Sequence, residues 1–476
     1  MKLIFEKSKE NDQRVLGGIS TATTTIPEKY LRNDDIGLPE LDEQSIVRHY
    51  TALSRLNFGV DTGMYPLGSC TMKYNPKINE RVAANPNFLH AHPYMDESLV
   101  QGSLRIIYEL KEYLKEITGM KDFTLVPGAG AHGELVGMKM IRAYHDKKQN
   151  KKTKVIIPDT AHGTNPASCA LAGYKVINMK SSNDGILSVA ALEAVLDDEV
   201  AALMMTNPNT LGLFESHIAE IAKKLHEKDV LLYCDGANFN ALMGTSRFGD
   251  MGVDVIHLNL HKTFSSPHGG GGPGSGPVGV SDILVPFLPE AGVTKEGASF
   301  RFKETTKDNL GLIKSFYGNF GVYIRAYSYI RSLGPDGIRR VSEIALLNAN
   351  YVRAKLKDYF HIPFPDSCMH EVVISDKYQK EYGVTTLDMA KRLIDKGFHP
   401  PTIYFPLVVP GAMMIEPTET ESKATLDEFI KAMIEISIEA KEHPELLKNA
   451  PQTAFRKRLD EVQAARVPVL TFKGEC

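Results

Sequence analysis

The feature that most constrains this chain is an alternation running from about Leu110 to Ser281. Short apolar runs, each long enough for one buried strand, are separated by stretches whose apolar residues recur every three or four positions. The expected strands are Phe123–Val126, Lys154–Ile157, Lys175–Asn178, Ala201–Met205, Val230–Cys234, Asp254–Leu258 and Pro277–Val280. Helical patterns between them include Leu135–His145, Val189–Leu196 and Ile218–Lys228. Strands alternating with helices build a mainly parallel sheet covered on both faces. Runs such as Ala201–Met205 and Val230–Cys234 have no polar side, which suits such burial. The expected fold class is therefore α/β, with a mainly parallel seven-stranded sheet and helices on both faces.

The alternation does not fill the 476 residues. Residues 1–65 are rich in Pro, Thr and Asp and read as an N-terminal arm. Residues 66–331 hold the large domain. After Ser332-Leu333-Gly334-Pro335-Asp336-Gly337 the pattern restarts with a helix over Ile338–Tyr359, a strand over His370–Ser375 and a helix near Thr386–Lys396. A last helix, Leu426–Glu442, opens on Thr425 and Glu428 at capping-box spacing. Residues 332–476 thus read as a smaller C-terminal α+β domain.

Composition excludes several function classes. Hydrophobic residues at 43% rule out disorder, and a net charge of −3 offers no field for nucleic acid or an anionic membrane. The longest nearly apolar stretch, Tyr404–Ile415, is broken by Pro406 and Pro410 and is far short of the ~20 residues of a membrane span. Charge at Glu6 and Lys7 leaves no apolar core for a signal peptide. Cys70, Cys169, Cys234, Cys368 and Cys476 are odd in number and contain no C-x-x-C, so they read as reduced thiols of a cytoplasmic protein. His90 with His92, and His257 with His261, lack the partners or helical spacing of a metal site, and no metal is expected.

Chemistry concentrates in Asp254–Val280. A buried-type strand ends in Asn259-Leu260-His261-Lys262, and a glycine run from Gly269 to Gly279 follows. A lysine at the end of a buried strand must be paired or lose its proton more easily than usual. Such an amine is the nucleophile of Schiff-base chemistry. A flexible linker after a snorkelling lysine is the plain alternative, but His261 and His268 crowd it too densely for a linker. Asp235 ends another apolar strand, where open α/β sheets bind ligands. An acid there would hold the pyridinium nitrogen of pyridoxal phosphate; alone, it would read as a helix cap. Ala237 lies two residues on.

Three further strand ends converge. Pro127–Glu134 opens a helix after a strand, so its free N–H groups and positive dipole end would face a phosphate. Gly128, Gly130 and Gly133 also match G-x-G-x-x-G, which leaves a nicotinamide-dependent dehydrogenase as the second reading. His162 follows the strand ending at Ile157 and could lie flat on a cofactor ring. Thr206-Asn207-Pro208-Asn209-Thr210 follows another strand, and a hydroxyl or amide of this stretch, Thr210 among them, could reach the cofactor's phenolic oxygen.

Several of these stretches together resemble the glycine dehydrogenase (decarboxylating) P protein of the glycine cleavage system. They are Gly68-Ser69-Cys70-Thr71-Met72-Lys73, Ala161–Ser168, Leu258–Phe264 with Pro267–Gly274, Gly397–Thr402 and Glu416–Glu419. The resemblance spans about residues 45 to 450 and is to the C-terminal, cofactor-bearing half of that enzyme. It implies a fold-type-I pyridoxal phosphate-dependent transferase, with the cofactor in a Schiff base on Lys262. It gives Asp235 the ring nitrogen, His162 the ring face and a catalytic part, and Gly130–His132 with His261 the phosphate pocket. Ser69, Cys70 and Thr71 are implied near the substrate. The implied reaction is decarboxylation of glycine with transfer of aminomethyl to the lipoyl group of the H protein. The implied assembly is a heterotetramer, two copies of this chain with two of subunit 1. A catalytically idle regulatory subunit of the same fold is a further alternative.

Overall fold

The structure, a computed structural model, describes residues 2–8, 26–32, 34, 37–269, 272, 274–304 and 306–470. Cys476, Gly270, Gly271 and much of the expected arm lie outside the described residues. The chain divides into two units, one of Met1–Thr62 with Thr453–Cys476 and one of Gly63–Gln452. In the first unit the helix Glu43–Ser54 starts at Asp42, whose carboxylate accepts the Ser45 N–H at 2.6 Å. No helix among the described residues is long and apolar enough to cross a membrane.

The second unit carries the seven-stranded sheet. Its strands are β1 (Asp122–Thr124), β2 (Lys154–Pro158), β3 (Lys175–Met179), β4 (Val200–Thr206), β5 (Leu231–Gly236), β6 (Val255–Leu258) and β7 (Val278–Val280). Their order is β1-β7-β6-β5-β4-β2-β3, and only β7 runs against the rest. All seven expected strands are present, with ends shifted by at most two residues.

Burial on both faces follows from the sequence of the central strands. Val200, Leu203 and Met205 of β4 join one core with Ile218, Ile221 and Leu225 of helix Ile218–His226. Ala202 and Met204 join the opposite core with Val136, Met138 and Ile141 of helix Gly130–Lys147. Each fully buried side chain of this size contributes about 1.5–3 kcal/mol. Helix Gly130–Lys147 lies tight on the sheet because Gly137 has no side chain; a Cβ there would come within 2.5 Å of the Tyr233 ring.

A hairpin, β8 (Val293–Glu296) with β9 (Ser299–Phe302), precedes the helix Phe320–Leu356. The expected restart at Ile338 is a break inside this helix. Gly334 takes φ 66° and Pro335 lacks an N–H, so the helical hydrogen bonding is interrupted and then resumes. Beyond it, β10 (Val372–Ser375), β11 (Thr402–Ile403) and β12 (Ala412–Ile415) form an antiparallel sheet in the order β10-β12-β11. Phe360, Met389, Leu393, Phe429 and Met433 pack in its core. The last long helix starts at Lys423, three residues before the expected start. Ser422 caps it by accepting the Thr425 N–H at 3.1 Å, so Thr425 is inside the first turn.

Candidate active site

The carboxyl ends of β2, β4, β5 and β6 open into one cleft of about 660 Å³. His162 and Thr164 follow β2, while Thr206, Pro208, Asn209 and Thr210 close β4. Asp235, Ala237 and Asn238 end β5, and Asn259 and Lys262 follow β6. Gly130, Ala131 and Glu134 come from the start of helix Gly130–Lys147, and Ser69, His370 and Glu371 close the far wall.

Asp235 is 4% exposed, at the last position where β5 pairs with β4. Its parallel register partner on β6 is His257, whose Nε2 lies 3.2 Å from Asp235 Oδ1. Asn165 Nδ2 donates to Oδ2 and the Ala237 N–H to Oδ1, both at 3.0 Å. Burial pushes the Asp235 carboxyl up, but His257, the Asn165 amide, the Ala237 N–H and His162 together hold it below the ordinary carboxylate range. The cleft therefore contains a dry, ionised carboxylate. The Tyr233 hydroxyl sits 2.9 Å from His257 Nδ1 and fixes that ring from behind.

Helix Gly130–Lys147 begins with no side chain capping it. Its first N–H groups thus point into the cleft at the positive end of an 18-residue helix. Gly130 allows close approach, since a Cβ there would lie 2.5 Å from Asn259 Oδ1. Glu134, one turn on, accepts Thr164 Oγ1 at 2.7 Å and Ser168 Oγ at 3.0 Å. This ties the helix start to the His162 loop, where His162 Nδ1 is 3.0 Å from Thr164 Oγ1 and its ring meets Phe405 edge-on.

The far wall is built by residues remote in sequence. Glu371 and Glu416 flank β10 and β12, directly across the last paired position, Val372 with Ile415. Both are buried. Residues Gly68–Thr71 cross in front of them. The Ser69 N–H donates to Glu371 Oε2 at 2.9 Å, and Thr71 donates to Glu416 through its N–H at 2.9 Å and its hydroxyl at 2.7 Å. Asn238 Nδ2 also donates to both oxygens of Glu416 at 3.0 Å. Burial and the Glu416 charge push the Glu371 carboxyl up to about 8. Burial likewise raises the Cys70 thiol, and Glu416 and Glu371 add to the rise while Lys262 opposes it.

Of the residues singled out in the sequence, Ser69, Gly130, Ala131, His162, Thr210, Asp235, Ala237 and Lys262 line this cleft. His132, His261, Cys70 and Thr71 are not in its wall. His132 turns back onto its own loop, where its Nδ1 accepts the Gly128 N–H at 3.2 Å. His261 packs edge-on against His268, and burial first, then His268 and Lys262, lowers it to about 3. Thr71 is spent on Glu416, and the Thr210 hydroxyl donates to the Thr160 carbonyl at 2.7 Å. Glu134, Asn165, Asn238, His257, Asn259, His370 and Glu371 were not foreseen as site residues. Asp235 as a strand end pointed toward His257 through parallel register, but nothing local signalled the others.

Comparison with known proteins decides the family. The model for the glycine cleavage system P-protein matches residues 16–297, and one for the C-terminal domain of glycine dehydrogenase matches residues 341–456. The probable glycine dehydrogenase (decarboxylating) subunit 2 of Bacillus licheniformis is 55% identical over 99% of this chain and 98% of its own length. The corresponding protein of Shouchella clausii is 57% identical over 94% and 91%.

The chain belongs to the glycine cleavage system P-protein family.

The relatives share the name of a decarboxylating glycine dehydrogenase subunit, and the nicotinamide-dependent and regulatory readings are not favoured. Among solved structures, a glycine decarboxylase (P-protein) in inhibitor-bound form superposes with a TM-score of 0.72 at 19% identity, covering 87% of this chain and 93% of that one. A Lactobacillus brevis glutamate decarboxylase superposes with a TM-score of 0.65 at 14% identity, covering 93% and 98%. The fold is that of fold-type-I pyridoxal phosphate enzymes, as the βα alternation and the resemblance implied.

Proposed function

We propose that this P-protein family chain decarboxylates glycine with pyridoxal phosphate held covalently at Lys262, and passes the aminomethyl group to the lipoyl group of an H protein. The observation that carries the reading is one cleft uniting a lysine amine, an ionised buried carboxylate and an uncapped helix start. The residues fit the cofactor. The polar atoms Thr206 Oγ1 and Asn259 Oδ1 are buried with no protein hydrogen-bond partner, and both residues line the cleft. Buried polar atoms without partners are costly and mark a place for a polar ligand.

When bound, pyridoxal phosphate supplies an electron sink for breaking the bond between the glycine α-carbon and its carboxylate. The chain's own part is to hold and tune. Lys262 provides the amine for attachment, and its charge is felt at Glu371, Cys70, His268 and His370. Asp235 stays ionised through its donors and would keep a pyridinium proton in place. The first turn at Gly130 and Ala131 would take the phosphate, and His162, backed by Phe405, would cover one ring face. Net transfer to a lipoyl disulfide breaks one sulfur–sulfur bond, makes one carbon–sulfur bond, releases carbon dioxide and takes up one proton.

The shared name of the relatives, subunit 2, supports a partner subunit 1, and we expect two copies of each. The four described cysteines are unpaired, which supports a reducing, cytoplasmic setting. The test is a visible spectrum with carbon dioxide exchange. The purified complex should be yellow, lose the colour on borohydride treatment and exchange carbon dioxide into the carboxyl group of glycine, faster with lipoylated H protein. A colourless, inactive complex supplied with pyridoxal phosphate would overturn the reading.

A further inference from the structure

The reading above leaves the glycine carboxylate without a handle. No arginine is among the described residues lining the cleft. An ion pair to that carboxylate would also stabilise the group that must be lost, raising the barrier. The wall opposite the strand ends offers something else. Glu371 and Glu416 are two acids that flank the last paired position, Val372 with Ile415, and two charges so placed would repel. Their environments differ. Glu416 accepts hydrogen bonds from the Thr71 N–H and hydroxyl and from Asn238, so its charge is well supported. Glu371 has the Ser69 N–H as its one direct donor and faces the Glu416 charge. His370, next in the chain, is 1% exposed, lines the same cleft, and has neither ring nitrogen partnered. Burial keeps its imidazole neutral, although Glu416 acts in the other direction.

We propose that the carboxylic acid of Glu371 and the N–H of His370 together hold the carboxylate of the amino-acid substrate, as a pair of neutral donors in place of a cationic clamp. This rests on glycine being the substrate. Neutral donors orient the carboxylate while stabilising it less than an arginine would, so less is lost when carbon dioxide leaves. No covalent step is involved. The groups that set the Glu371 proton are Glu416 on β12, His370 beside it, Lys262 after β6, and Cys70 with the Ser69 N–H in the crossing segment. Burial and Glu416 favour the protonated form, which persists up to about pH 8.

The experiment measures substrate affinity in the cofactor-loaded complex, from the change in its visible absorption, between about pH 6 and about pH 9. Glycine should bind with constant affinity at the acid end and lose about tenfold per pH unit once Glu371 ionises. Methylamine, which has no carboxylate, should show no such fall. Glu371→Gln keeps a neutral donor, so it should hold glycine within about threefold of wild type at pH 7 and abolish the alkaline fall. Glu371→Ala should weaken glycine binding at least tenfold and leave methylamine unchanged. Glu416→Gln removes the like charge and should move the fall to lower pH. An infrared band of a protonated buried carboxyl, present in wild type without cofactor and absent in Glu371→Gln, gives an independent readout. Unchanged glycine affinity in Glu371→Ala, or the same alkaline fall for methylamine as for glycine, would overturn the proposal. Wild-type complex that neither binds glycine nor exchanges carbon dioxide would instead sink the functional reading.

Discussion

Lys73 is the residue of the Gly68–Lys73 stretch whose replacement should cost most stability. It is 2% exposed, and its Nζ donates to Glu419 Oε1 and Asn240 Oδ1 at 2.7 Å, the Thr263 carbonyl at 3.0 Å and the Tyr329 hydroxyl at 3.3 Å. Glu419 is itself only 7% exposed at its side chain. Lys73→Met keeps the aliphatic stem and removes the charge. The Glu419 carboxylate then retains the Asn240 Nδ2 and Tyr329 hydroxyl donors but no cation, and the Thr263 carbonyl loses its side-chain donor. Breaking a buried pair by removing one partner costs about 3–5 kcal/mol. Each orphaned acceptor costs about 1–3 kcal/mol alone, but these overlap with the charge penalty and do not add. The expected loss is therefore about 3–5 kcal/mol, a large part of the ~5–15 kcal/mol typical of a folded domain. The assay is denaturant unfolding of the cofactor-loaded complex, followed by a double-mutant cycle with Glu419→Gln. The double variant removes the uncompensated charge, so it should recover about 2 kcal/mol or more relative to Lys73→Met. A single-variant loss under about 1 kcal/mol, or a double variant no better than the single, would refute the reasoning.

Other expected outcomes follow from the cleft and its supports. Lys262→Ala should fold, yet bind pyridoxal phosphate without the borohydride-stable attachment; a reduced, covalently labelled variant on mass spectrometry would contradict it. Asp235→Asn should cut the exchange rate by about 100-fold or more while retaining some cofactor, because a preorganised charge is lost; near-normal exchange would reduce Asp235 to a structural role. Gly130→Val should weaken cofactor binding, since its Cβ would fall 2.5 Å from Asn259 Oδ1, and equilibrium dialysis would detect this. His226 is raised above its usual 6.5 by the Asp254 carboxylate at 2.8 Å. Its contribution to stability is full below about pH 6.5 and is lost as the pH rises through the higher folded value, so His226→Gln should flatten that part of a stability–pH curve.

What the sequence revealed follows from where the physics is local. A strand buried on both faces needs an unbroken apolar run, so β4 and β5 stand out from composition alone. Lys262 and Asp235 were visible because a charge ending such a run is anomalous. Gly130 was visible because a turn opening a helix has a known chemistry. Gly334 and Pro335 were legible as a break because both disfavour helix, and a second helical stretch resumes beyond them. The misplaced start of the last helix has an equally physical cause. The helix at Lys423 started earlier than expected because Ser422 and Thr425 both carry capping hydroxyls, and local pattern cannot rank them. The far wall of the cleft was invisible for a different reason. Ser69 meets Glu371 across 302 residues and Thr71 meets Glu416 across 345, and no window along the chain contains both partners.

Two carboxyl groups of this cleft, those of Asp235 and Glu371, show why residue type alone underdetermines a role. Asp235 and Glu371 are both buried, and burial pushes both toward the protonated form. Asp235 is met by an amide, a backbone N–H and the His257 ring, all within 3.2 Å, and these overcome the cost of burial. Glu371 is met across its strand pair by a second carboxylate, which adds to that cost. One acid is thereby kept charged, as a partner for a pyridinium nitrogen would have to be. The other is kept neutral to donate a proton to an anion. The same carboxyl chemistry is steered in opposite directions because parallel register supplies a histidine to Asp235 and the ends of an antiparallel pair bring a second acid to Glu371. Exchanging these environments, rather than the residues, would exchange the roles.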